Sequence, residues 1–355
     1  MTDISSLTSQ IKQNCNISDA KYWGSYTICG LLLGLRELYK FEHNIRPWED
    51  VKKESILEWI SEREKLWAEL EDKDFVPIEL SGVKYDAFDS ESINKQLLSQ
   101  GLFYTAGYGQ RMKPSFFLAE LYQKIIVEGY SVYIAGKELT RDIAVYPAML
   151  QGRTIIIRKD VITSSIWDKF NELKANKSKS ALKYAFNFYG LSAEEELTEE
   201  LISKIIKIAE SEIEAYIYHE AGEITEGKKL GEQWKNFIFS ISNSRAELLA
   251  RGIKDLLADT SEKGMLRYLI DMRKKGSLAF YVSSLRGYRK SVFGEISAAF
   301  DKFIVTEDWN EIENARVNCN KMAINYAGTM LELFRKKNER TGLIADIEKE
   351  FSCLL

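Results

Sequence analysis

The chain has 355 residues, 45% of them hydrophobic and 29% charged, which are values of a folded globular protein and exclude wholesale disorder. Its net charge of −4 supplies no global positive field, so nucleic acid and acidic membrane surfaces are disfavoured as partners. Only four prolines occur, Pro47, Pro77, Pro114 and Pro147, which excludes a collagenous chain, a Pro-rich linker and a turn-dense all-β sandwich.

Met1-Thr-Asp-Ile-Ser-Ser has neither a basic nor an apolar leader region, so no signal peptide is read there. Ser18-Asp19 reads as the N-cap of a helix running from Ala20 to Phe41. Gly30 and Gly34, four apart, predict close approach of another element on one side. The run Cys29-Gly-Leu-Leu-Leu-Gly-Leu35 demands a large apolar partner, and contact with the C-terminal helices is expected. The same stretch is too short to span a bilayer. His43 sits at a helix end before Pro47 and reads as a capping cation. Pro47-Trp48 opens a second helix at about Glu49, with Ile56, Trp59, Ile60, Arg63 and Trp67 on one face. Trp23, Trp59, Trp67, Trp167 and Trp234 all read as core residues. Residues 1–74 thus form an N-terminal helical segment.

Phe75 to Tyr85 predicts a short β-excursion around a Ser81-Gly82 turn. Glycines then cluster between 101 and 152, and Ser131–Ala135 and Thr154–Arg158 have the composition of strands. Ahead of both, Pro114 is expected to start a helix through Phe116, Leu118, Leu121 and Ile125. Residues 75–160 are accordingly read as a minor β-containing lobe. From 161 to 355 the pattern is helical, with periodic runs over about 161–175, 179–189, 193–221, 229–258, 262–274, 277–303, 307–337 and 342–352. The expected fold class is mainly α: an antiparallel helical array or bundle with a small α/β insertion or minor β-sheet.

Two constellations could carry chemistry. On a helix starting at Ser192 or Thr198, Glu212, His219, Glu220 and Glu223 fall within the apolar arc beside Tyr216. Charges aimed into packing must be paired, protonated or metal-bound. A Glu/His cluster inside a helical array is how carboxylate-bridged iron or manganese sites are built, and zinc is the third ion such donors take. The two Glu-x-x-His repeats of di-iron bundles are absent, as is the second histidine of the zinc-protease motif. The structural alternative ends the helix at Gly222, places His219 in its last turn, and pairs the carboxylates with Arg245 or Arg251. No metal is predicted firmly.

The second constellation is Gly107-Tyr-Gly109-Gln-Arg111-Met-Lys113-Pro114, where backbone amides from Gly107 and Gly109 and the charges of Arg111 and Lys113 suit an anion. It lacks the Gly-Lys-Ser/Thr of a Walker loop and the third glycine of a dinucleotide fingerprint, and a tight turn before a capped helix is the alternative. Arg286, Arg289 and Lys290 form a fainter basic patch read as an exposed joint between helices. Cys15, Cys29, Cys319 and Cys353 are scattered without a C-x-x-C pair, which fits reduced thiols in a cytosol.

Asn14-Cys-Asn-Ile-Ser-Asp-Ala-Lys21, Ser61-Glu-Arg-Glu-Lys-Leu-Trp67, Phe116-Phe-Leu-Ala-Glu-Leu121 and Tyr218-His-Glu-Ala-Gly-Glu223 resemble an uncharacterised family of bacterial proteins of unknown function. The resemblance implies a bacterial, cytosolic setting and assigns no site residue. With no complete catalytic set legible, the expected function is that of a soluble cytosolic binding or protein-interaction protein, acting on a protein or small ligand that the sequence does not identify. A metal-binding protein or metal-dependent enzyme using the Glu/His cluster, and an anion binder using residues 107–113, are the alternatives. No oligomeric state is legible.

Overall fold

The structure, a computed structural model, describes residues 3–109, 112–176, 180–242, 244–336 and 340–354. Internal contacts divide the chain into two compact units, Met1–Ile126 with Ser131–Trp167, and Val127–Tyr130 with Asp168–Leu355.

The first unit begins with α1 (Ile4–Tyr22), whose N-cap Asp3 accepts hydrogen bonds from the amides of Ser5 and Ser6. Asp19, read from the sequence as an N-cap, lies instead in the last turn of α1 and is 1% exposed. A short 3₁₀ turn over Trp23–Ser25 separates α1 from α2 (Ile28–Glu42), which Thr27 caps through the Gly30 amide. His43 ends α2 as expected, its Nδ1 2.8 Å from the Tyr39 carbonyl. Helix α3 (Lys53–Leu70) follows. Gly34 meets Ile143 so closely that a Cβ would lie 2.8 Å from its side chain, so one side of α2 is indeed closely packed. The opposite side is not: Ile28 is 80% exposed and Leu32 and Leu33 are about half exposed, as is Trp23 just before the helix. Trp67 and Trp234 are buried, so the expectation of core tryptophans fails at Trp23.

The mainly α expectation is overturned in this unit. Strands β1 (Ile78–Leu80) and β2 (Val83–Tyr85) pair antiparallel around Ser81 and Gly82, whose φ of 52° and 80° give the two positive dihedrals of a tight hairpin turn. After α4 (Ser90–Leu97), five strands form one mixed sheet. They are β3 (Leu102–Tyr108), β4 (Pro114–Val127), β5 (Tyr130–Arg141), β6 (Ala148–Gln151) and β7 (Thr154–Arg158), in the order β3-β4-β5-β7-β6. β3 runs antiparallel to β4, β5 parallel to β7, and β6 antiparallel to β7. The sheet curls, because Gln151 on one edge donates a 2.7 Å hydrogen bond to the Ala106 carbonyl on the other.

The helix expected from Pro114 is β4, 14 residues long. Phe116 and Leu118 pack with Leu7, Ile11 and Cys15 of α1 and Ile93 of α4, while Phe117 and Ala119 pack with Phe103, Ala135 and Ile156 on the other face. That is period two with both faces covered, which gives an unbroken apolar run in the sequence. The sheet and its helices make a substantial α/β unit, not a small insertion.

Helix α5 (Lys159–Ala175) leads into the helical second unit: α6 (Ser180–Phe188), α7 (Glu199–Ser240), α8 (Arg245–Thr260), α9 (Met265–Asp271), α10 (Lys275–Ser284), α11 (Gly287–Val292), α12 (Glu295–Thr306), α13 (Trp309–Lys336) and α14 (Arg340–Glu350). The single run expected over 277–303 is thus three helices. Gly222 does not end α7. It lies inside the helix, where a Cβ would stand 2.3 Å from the Ala258 carbonyl oxygen, so it is the point where α7 and α8 touch backbone to backbone. The break comes at Gly231, with φ 67° and ψ −169°.

Candidate functional site

The close approach at Gly222 sets the face of α7 carrying His219, Glu220 and Glu223 against the face of α8 carrying Lys254, Asp255 and Asp259. His219 donates from Nδ1 to Asp259 Oδ1 at 2.6 Å, and Arg289 of α11 reaches Asp259 Oδ2 at 2.5 Å. Asp259 is fully buried, yet Arg289 and His219 outweigh the cost of desolvation and hold its carboxyl below the ordinary range. Burial would drive the imidazole neutral. The Asp259 charge overrides it and raises the His219 pKa to about 10, which favours the imidazolium at neutral pH. Glu223 accepts from Lys254 at 2.8 Å; Lys254 and His219 keep it ionised against its burial.

Glu220 is different. It is 6% exposed and no hydrogen bond from a described residue reaches its carboxyl, while the fully enclosed polar atoms left without partners in this cluster are Arg289 Nε and the Tyr281 hydroxyl. Burial pushes its pKa up to about 7, helped by the charges of Glu223 and Asp255 and opposed by His219 and Lys254. Asp255 is also raised by burial, and its nearest ionic partner is Arg289 at 4.0 Å. The cluster grades from sealed to open, with side-chain exposures of 0% at Asp259, 20% at His219 and Glu223, 29% at Lys254 and 33% at Asp255. Tyr281 of α10 faces Asp259 and Arg289 from the buried side.

The sequence-derived set is therefore divided. His219, Glu220 and Glu223 share the cluster. Glu212 lies elsewhere, accepting hydrogen bonds from Ser277 at 2.6 Å and Tyr189 at 3.2 Å, with a pKa raised by burial to about 7. Tyr216 is half-buried on the same helix. Among the described residues, no three His, Cys, Asp or Glu side chains are disposed to hold a metal ion. The expected carboxylate partners differ too: Arg251 bonds Glu247 on its own helix, and Lys254 and Arg289 take the cationic roles. Sequence reasoning passed over Asp255 and Asp259, although their spacing of four on one face of α8 was a usable signal. Arg289 was legible only as part of an exposed joint.

In the first unit, Gly107 ends β3 and Gly109 donates its amide to the Lys113 carbonyl at 2.8 Å, so the glycine-rich segment is a β3–β4 connection and not a strand-to-helix turn. Arg111 lies outside the described residues. Lys113 is 1% exposed and held by Asp19 at 3.0 Å and Asp142 at 3.4 Å, so its charge is already spent inside the protein. Both carboxylates also organise the backbone. Asp142 accepts from the amides of Phe116 and Ala144 at 2.6 Å, and Asp19 from that of Ile143. Arg158, also buried, forms a two-pronged pair with Glu138 at 2.6 Å over the Phe117 ring. These groups fasten the curled sheet to α1 and turn their charges inward, away from any anion in solvent.

Against known families, a model described as the N-terminal domain of a family of unknown function (DUF6866) matches residues 6–158, and the C-terminal-domain model of the same family matches residues 163–352. No curated protein and no solved structure matches.

Proposed function

The chain belongs to the DUF6866 family, whose function is unknown, and from that premise we propose that it is a binding protein whose small ligand sits on the half-open charged cluster formed by α7, α8 and α11. The observation that carries this reading is that the cluster leaves polar groups without partners among the described residues: the enclosed Arg289 Nε and Tyr281 hydroxyl, and beside them Glu220, 6% exposed and reached by no hydrogen bond from a described residue. A buried polar group without a partner is costly, and a ligand that completes it recovers that cost on binding. The spent state of His219 speaks for binding over acid–base turnover. The setting we propose is a reducing bacterial cytosol, in keeping with four cysteines that are all free thiols; among the described residues no helix is long and apolar enough to cross a membrane. Thermal-shift measurement of the full chain against a panel of charged small molecules, amines, carboxylates and phosphates alike, is expected to yield stabilising ligands whose effect is lost in Glu220→Gln. A panel without stabilisers, or with stabilisers indifferent to that change, removes the cluster as a site.

Protein interaction is a second reading, favoured by the outward face of α2. Ile28, Cys29, Leu32 and Leu33 lie within one arc of the helix, all exposed, and Trp23 precedes them. Helices apolar on all sides are normally covered.

A further inference from the structure

Resting on the protein-interaction reading of α2, we propose that its outward face is the contact of a two-fold dimer of this chain, in which two α2 helices pack antiparallel and Cys29 of each lies against Leu32 of its copy. The exposed side chains are Ile28 at 80%, Leu32 at 54% and Leu33 at 55%, with Cys29 among them. At 100° per residue Ile28, Leu32, Cys29 and Leu33 fan over an arc of about 140° and form one continuous strip. Apolar side chains exposed singly need no explanation, but a contiguous strip marks a surface that meets a partner. Folding cannot bury this strip by turning the helix. The other side of α2 is fixed, since Leu35 and Leu38 pack with Trp67 and Ile143, and Gly34 leaves no room between the helix and Ile143.

The strip itself selects a second copy as its occupant. Positions 28, 29, 32 and 33 are symmetric about the point between Gly30 and Leu31. With the helix laid antiparallel on its own copy, and the two-fold axis through that point, Ile28 meets Leu33 and Cys29 meets Leu32, so each apolar side chain finds an apolar partner. The charge on this arc, Arg36, is already paired with Glu37 at 2.9 Å and calls for no oppositely charged partner. Antiparallel packing sets the positive end of each helix dipole beside the negative end of the other, whereas parallel packing would set like ends together. Two such strips, with Trp23 at 49% exposure just before each helix, withdraw on the order of 1,200 Å² from water, which clears the roughly 1,000 Å² that a specific interface needs.

This register leaves a signature at Cys29. Packed helices lie about 8–10 Å apart, and Cys29 is offset from its own copy by three residues, about 4.5 Å along the axes. The two thiols stand on the facing sides, within reach of a short thiol-to-thiol linker. Position 36, on the same line of the helix, is offset from its copy by eleven residues, about 16 Å, and lies out of reach. A parallel dimer behaves differently, because each residue then stands level with its copy and positions 29 and 36 are equally close to theirs. Of the four cysteines, Cys15 and Cys319 are buried, and Cys353 is the other exposed thiol.

Cross-linking of the full chain with bis-maleimidoethane, in a Cys353→Ser background, tests this and is read as a band of twice the chain mass under denaturing conditions. Each Cys29 thiol adds across one maleimide double bond of the linker, so two thioethers form and no oxidant is needed. The expected product is a cross-linked dimer that is lost in Cys29→Ser. Its yield is expected to fall by about tenfold or more in Leu32→Glu, which keeps the thiol and sets a carboxylate against Cys29 of the copy. Moving the thiol, by Cys29→Ser with Arg36→Cys, is expected to abolish the product. Equal cross-linking from position 36 overturns the antiparallel arrangement. A yield unchanged in Leu32→Glu, or no product while a mono-maleimide labels Cys29, overturns the self-pairing. The same reaction in a cell lysate separates this proposal from the reading it rests on. Cys29-dependent adducts to another chain, without the self-product, keep α2 as an interaction face and reject its copy as the occupant; if neither forms, both fall.

Discussion

Asp259 decides what His219 is. One carboxylate sealed in the last turn of α8 draws in both an imidazolium and a guanidinium, and that leaves Glu220, next to His219 on α7, without an ion pair of its own. Glu220, like Glu212, carries a pH signature near neutrality. Its folded-state pKa, about 7, lies above the 4.5 of an ordinary glutamate, so the protonated form is the one the fold prefers. Its contribution to stability is complete below about pH 4.5 and is lost as the pH rises through about 7. Glu220→Gln fixes the neutral form. It is expected to leave stability unchanged near pH 4 and to raise it at pH 8 by up to about 3 kcal/mol, since a tenfold change in proton affinity is worth about 1.36 kcal/mol. Denaturant unfolding at the two pH values measures this, and an equal effect at both would contradict a titrating carboxyl. Helical spacing in the sequence was enough to show that His219, Glu220 and Glu223 point inward together. It could not show that Glu212, on the same arc but two turns earlier, meets a different neighbour, because one helix's periodicity says nothing about which partner covers each turn.

At the level of elements, glycine carried two meanings that the sequence does not separate. Gly222 followed a histidine and an apolar run and so resembled a helix terminator, while Gly231 fell inside the helical run expected over about 229–258. In the structure their roles are exchanged: Gly231 breaks α7 with a positive φ, and Gly222 permits contact with the Ala258 backbone. A pair of substitutions separates the two roles of glycine within one helix. Gly222→Ala places a Cβ 2.3 Å from a carbonyl oxygen, which only backbone movement can relieve, and is expected to cost about 3 kcal/mol. Gly227→Ala, five residues on with nothing within 4 Å of the added methyl, is expected to be stabilising by about 0.5–1 kcal/mol. Chemical unfolding of the two variants checks both signs, and a neutral Gly222→Ala would mean that α7 and α8 are not in backbone contact. Strand β4 was illegible for a related reason. Phe116, Phe117, Leu118 and Ala119 are all buried, so no polar alternation marks the strand, and the apolar positions fit a helix as readily. The β1–β2 hairpin was legible because its turn residues are chemically specific.

Across the whole molecule, the change of texture near residue 160 was visible in the sequence, and it falls close to both the division between compact units and the division between the two family models. The size of the sheet was not visible, since β5 pairs with β7 across the intervening β6 and such non-local pairing leaves no local trace. One property belongs to this scale alone. The outward face of α2 exposes Ile28 at 80%, Leu32 at 54%, Leu33 at 55% and Trp23 at 49%. Together with Cys29 these offer on the order of 600 Å² per protomer, near the roughly 800 Å² that a standard interface buries on each partner. The one charge on this arc, Arg36, is paired with the adjacent Glu37 at 2.9 Å, and a helix face can pair with its own copy across a two-fold axis. The occupant expected is therefore a second copy of this chain. Sedimentation equilibrium is predicted to show a concentration-dependent dimer that Leu32→Glu converts to monomer, while the stability of the monomer changes by no more than about 0.5 kcal/mol because the side chain is half exposed. A wild-type chain that stays monomeric up to high concentration would leave this face without its own copy as partner, and a dimer that survives Leu32→Glu would move the interface to another surface.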